Sequence, residues 1–102
     1  MLHAYSATAA AQTDTELVAT PGAGRAVQVI AVTVSGVGDE TITFEDEDNT
    51  GHLQLQLAAK SSHTASAPGA DLFTLAANKA LTYTTTGTGA AAVSVTYQEV
   101  DA

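Results

Sequence analysis

His52-Leu53-Gln54-Leu55-Gln56-Leu57 alternates polar and apolar side chains, and because strand side chains alternate at period two, it sets three leucines on one face of a β-strand. Upstream, Glu40 to Glu45 (ETITFE) repeats the pattern with Ile42 and Phe44 facing in, and Asp46-Glu47-Asp48-Asn49-Thr50-Gly51 forms an acidic turn between the two strands. Farther back, Arg25 to Ser35 (RAVQVIAVTVS) is the longest β-branched stretch. Its apolar residues fall on both parities, Val27 and Val29 on one, Ile30, Val32 and Val34 on the other. Either both faces are covered or a bulge near Val29 shifts the register. With Gly36-Val37-Gly38-Asp39 as the turn, this segment and 40–45 read as a hairpin. Before it, Thr15 to Thr20 (TELVAT) is a short strand stopped by Pro21-Gly22, since Pro fixes φ and Gly permits a positive one.

Downstream, Lys60 to Gly69 (KSSHTASAPG) reads as a loop of small polar residues, long enough to cross between sheets. Asp71 to Leu75 offers a short strand or a turn of helix, and Lys79 to Thr86 (KALTYTTT) puts Leu81 and Tyr83 on one face. Thr86-Gly87-Thr88-Gly89 turns the chain into a last strand, Ala91 to Val100, with Val93, Val95 and Tyr97 aligned. Seven or eight short antiparallel strands with no amphipathic helix predict an all-β fold, a single small β-sandwich of jelly-roll type. Residues 1–14 are expected as an N-terminal arm or edge strand, and 15–102 as the sandwich domain.

Composition narrows the function classes. At 102 residues the chain has room for one core, and with 45% hydrophobic but only 5% aromatic residues that core is thin. The absence of cysteine excludes disulfides and thiolate metal sites within this sequence. Eleven acidic against three basic residues give a net charge of -8, which repels phosphate backbones and anionic lipid, so neither nucleic acid nor membrane is an expected partner. Without a basic n-region, an apolar signal segment or a run of about eighteen apolar residues, the protein is expected to be made in the cytoplasm.

No side-chain constellation demands a reaction, and the expected catalytic, cofactor and metal residues are none. Asp46-x-Asp48-x-Thr50-Gly51 resembles the start of a calcium loop, but Leu57 stands where that loop needs its bidentate Glu, so a solvated hairpin tip is the favoured reading of 45–51. His3, His52 and His63 lie in separate elements without ligand spacing. Ser61 and Ser62 beside His63 lack a nucleophile elbow, and Gly22-Ala23-Gly24 and Gly87-Thr88-Gly89 lack the helix and lysine of a phosphate cradle. Of Tyr5, Phe44, Phe73, Tyr83 and Tyr97, at least Phe44 and Tyr97 point inward, so core packing is favoured over a sugar-stacking platform.

The order "LVATPGAGRAVQVIAVTVSG", "ETITFEDEDNTG", a leucine strand, "APGADLFTLAANKALTYTTT" and "AAVSVTYQEV", over about residues 15–100, resembles small virion proteins of tailed bacteriophages. That resemblance implies a jelly-roll module on the virion: a non-enzymatic capsid decoration or cementing protein, commonly a homotrimer, whose partner is the major capsid protein lattice. It carries over no catalytic residue. Met1 to Thr13 would then be an arm ordering on the shell or on a neighbouring copy, or else an edge strand. The alternative is a carbohydrate- or calcium-binding β-sandwich module of a phage fibre or tail, using the acidic turn for the cation and Tyr5 or Tyr83 for the sugar. An enzyme, for which His52 or His63 would have to be essential, ranks third.

Overall fold

The computed structural model describes residues 2–8, 10–66, 71–87 and 90–102. Through them run nine strands: β1 (Leu2–Thr8), β2 (Thr15–Val18), β3 (Arg25–Gly36), β4 (Glu40–Asp46), β5 (Gly51–Leu57), β6 (Ser61–Ser66), β7 (Phe73–Thr74), β8 (Leu81–Thr86) and β9 (Ala91–Asp101). Every ladder is antiparallel. The first sheet has five strands, ordered β1-β9-β3-β6 with β7 also on β3, and the second has four, ordered β2-β8-β4-β5. With the two-residue β7 set aside, the chain closes in nested pairs, β4 with β5, β3 with β6, β2 with β8 and β1 with β9, alternating between sheets. That nesting is the jelly-roll wrap.

The core lies between the sheets. Val27, Val29, Val32, Val34, Val93 and Val95 of the first face Ile42, Phe44, Leu57, Leu81 and Tyr83 of the second, all buried. Leu53 and Leu55 pack on this cluster from the edge strand β5, which leaves them only partly covered. The parity change in β3 is a bulge: Val29 pairs with Tyr97 and Ala31 with Thr96, so Ile30 is an inserted residue with no partner on β9. It returns Val32 and Val34 to the face that Val27 and Val29 already occupy. Tyr83 ties the layers together, its hydroxyl 2.7 Å from Ser6 Oγ on β1 of the opposite sheet.

Two sequence-based expectations are corrected. β3 and β4 are not a hairpin: β3 pairs with β9, β6 and β7, whereas β4 pairs with β8 and β5 in the other sheet. The Gly-containing segment after β3 crosses between layers, and the crossing from β5 to β6 is fastened to it. Lys60 N–H donates to the Val37 carbonyl at 3.0 Å, and Ala59 N–H to Asp39 Oδ1 at 2.9 Å. The segment from Lys60 is not all loop either, because Ser61–Ser66 forms β6 along Ala31–Gly36 of β3. An edge strand needs only one pairing partner and one apolar foothold, here Ala65 against the core, so its polar composition hides it. The Pro68-Gly69 end of that loop and Thr88-Gly89 of the last turn lie outside the described residues.

Candidate functional site

The acidic turn is built around Asp46, whose side chain is buried. Asp46 Oδ1 accepts the backbone N–H groups of Asp48 at 2.9 Å and Thr50 at 3.1 Å, while its carbonyl accepts Asn49 N–H at 2.9 Å and the Thr82 hydroxyl at 3.1 Å. Asn49 takes a positive φ of 65° to close the bend, a conformation Asn tolerates. Neighbouring acids reach across to the residues just before β8: Glu47 Oε1 accepts Ala80 N–H at 2.8 Å, and Asp48 Oδ2 lies 2.7 Å from Lys79 Nζ. Burial pushes the Asp46 carboxyl up, but the two turn amides and His52, 3.4 Å from Oδ2, outweigh it and hold the group below the usual carboxylate range. The hydrogen bond and charge of Asp48 raise Lys79 in turn. The turn is thus an exposed acidic tip over 47–51 held in shape by the buried Asp46, whose carboxylate faces protein donors.

The histidines stay apart, His3 on β1, His52 on β5 and His63 on β6. His3 Nδ1 is 3.1 Å from Thr96 Oγ1, and the His52 ring stacks on Phe73 with centroids 5.4 Å apart and 17° between planes. Ser61 donates to the Ala58 carbonyl at 2.5 Å. Tyr83, only 1% exposed, is inaccessible to a sugar, which corrects that part of the stacking alternative; Tyr5 stands 70% exposed. Among the described residues no three His, Cys, Asp or Glu side chains are arranged to hold a metal ion. An open groove of about 340 Å³ runs between Asp39, Thr41, Gln56 and Thr86, and one of about 250 Å³, lined by small residues such as Ala7, Ser35 and Ala92, lies at the end of the first sheet. Neither is lined by histidine, lysine or arginine.

What distinguishes the surface is the first sheet. Its outer strands are β1 and β6, and neither contains a charged residue. Leu2, 48% exposed, and Tyr5 both project from β1; with Val37 they are the exposed large hydrophobic side chains among the described residues. By contrast Glu16 sits on β2, the edge of the second sheet, and Glu45 on β4. Nothing in the individual strand sequences announced this partition, because it arises only when segments distant in sequence are laid side by side.

No protein-family model and no curated protein matches the chain. Among solved structures, one from a study of Bacillus endospore appendages, described as a novel family of disulfide-linked pili, is similar over 98% of this chain and 85% of that one, at 19% identity and a TM-score of 0.51. At that identity the likeness speaks to the fold alone.

Proposed function

We propose that this chain is a non-enzymatic structural protein that works in many copies, docking through its first sheet into a repeating protein array. The observation that carries this is the unguarded edge strand β1: seven residues without a charge, bearing Leu2 and Tyr5, in a chain of net charge -8. Exposed edges are ordinarily blunted by charge, proline or brevity, because their free N–H and C=O groups invite pairing. With β6 equally uncharged at the opposite edge, the first sheet offers two docking edges, and many weak contacts along an array gain avidity.

Two arrays fit. The order of sequence motifs supports a phage capsid, on whose outer surface the protein sits as a cementing subunit, a trimer in that reading. The fold likeness to an appendage subunit favours a self-assembled filament. That relative is described as disulfide-linked, and this sequence, with no cysteine, would have to hold its copies together without covalent links. Saturable binding of the purified chain to assembled heads, with none to free coat subunits, supports the capsid; regular filaments of the pure protein support the appendage. Substituting Leu2→Lys together with His63→Lys, one on each edge, is expected to weaken either assembly. A protein that stays monomeric and binds no heads contradicts both.

A further inference from the structure

We propose that the outer face of the first sheet is a docking face for a second copy of this chain, packed sheet on sheet about a two-fold axis. The inference rests on the reading of the chain as an assembling protein but concerns a face, not an edge. Because Val93, Val95, Val32 and Val34 are buried, their neighbours Ser94, Thr96, Thr33 and Ser35 point outward. The register sets Tyr5 opposite Ser94, Ser94 opposite Thr33 and Thr33 opposite Thr64, one continuous row across four strands. Thr33 and Thr64 hydroxyls lie 3.2 Å apart on it. The rows on either side hold only Ala, Ser, Thr and His.

None of the chain's eleven acidic or three basic residues occupies these rows. For two copies each carrying -8, an approach through the second sheet or the hairpin tip brings carboxylates together, whereas an approach through this face does not. The shape is self-complementary as well. Tyr5, 70% exposed, rises at one end of a row whose other members are small, so a two-fold arrangement sets each tyrosine over its partner's Ser94, Thr33 and Thr64. Four strands about 4.8 Å apart, each presenting about seven residues at about 3.3 Å, give roughly 450 Å² per copy. Two such faces approach the roughly 1,000 Å² typical of the smaller specific interfaces, so the pair is a weak, concentration-dependent dimer.

Sedimentation velocity of the full chain over a concentration series tests this. The wild type is expected to pass from monomer to dimer, more readily as salt screens the mutual repulsion. Thr33→Glu with Ser94→Glu, both outward and so compatible with the fold, is expected to weaken dimerisation at least about tenfold. Gln54→Glu with Gln56→Glu, exposed on the second sheet, adds the same charge and is expected to leave it nearly unchanged. Mixing the Thr33→Glu/Ser94→Glu chain with a Thr33→Lys/Ser94→Lys chain restores the dimer, while unaltered circular dichroism shows that each variant folds. Equal behaviour of the two glutamate variants overturns the face, as does a wild type that stays monomeric at every concentration and salt. Retained binding to heads, or filaments lost only with Leu2→Lys and His63→Lys, would leave the array reading standing while the face fails.

Discussion

Asp46 shows how much one side chain does when a turn is assembled around it. Its carboxylate satisfies two amides that would otherwise be left without partners in a tight bend, so Asp46→Ala is expected to cost about 1–3 kcal/mol in chemical denaturation. The sign of the pH dependence follows from the lowered folded-state value. The unfolded carboxyl binds its proton first as pH falls, so the stabilisation is complete above the ordinary carboxylate range and is lost as pH drops through the depressed Asp46 value. The gap in denaturation midpoint between wild type and Asp46→Ala should therefore be constant near neutrality and close in acid. Lys79, raised by Asp48, acts oppositely: its contribution holds below the ordinary lysine range and fades as pH rises through the folded value. Gly87 is constrained by both conformation and space. At φ +140°, an added Cβ would come within 2.5 Å of the Asp39 carbonyl oxygen, so Gly87→Ala should lower stability by about 1–3 kcal/mol on thermal melting.

At the scale of elements, the bulge in β3 explains why apolar residues appear on both parities. Ile30 has no partner on β9, and without it Val27, Val29, Val32 and Val34 alternate in one unbroken register. Deleting Ile30 is expected to preserve the β3–β9 ladder at a cost on the order of 1–3 kcal/mol, whereas deleting Ser94 from β9 slips Val93 against Val95 and should abolish cooperative unfolding. Measured melting curves of the two deletions decide the point. Hydrophobic parity, being local, narrowed the residues to two readings, a strand covered on both faces or a bulge near Val29, and the pairing with β9 decides for the bulge. β6 was not legible: Ser61-Ser62-His63-Thr64-Ala65-Ser66 carries one inward apolar residue, and what makes it a strand is the free edge of β3, thirty residues away in sequence. The supposed hairpin of β3 and β4 failed for a related reason, since Gly36-Val37-Gly38-Asp39 has the turn chemistry of a link within one sheet and equally of a crossing between two.

For the whole molecule, strand alternation and turn spacing were enough to foresee a jelly-roll sandwich, because each inward face must be buried against another sheet. The surface was far less legible. Acidic residues are scattered along the chain, and only the pairing of β1, β9, β3 and β6 reveals that one sheet is free of them on its outer side and at both edges. A chain with a thin core and strong net charge thus keeps the outer face of one sheet free of acidic side chains. The most direct measurement is electron imaging of the purified protein, alone and mixed with assembled heads. Copies repeating in a regular array, on a shell or along a filament, with an uncharged edge or the outer face of the first sheet turned toward a neighbour, are the predicted result. Isolated single molecules in both samples would contradict the account.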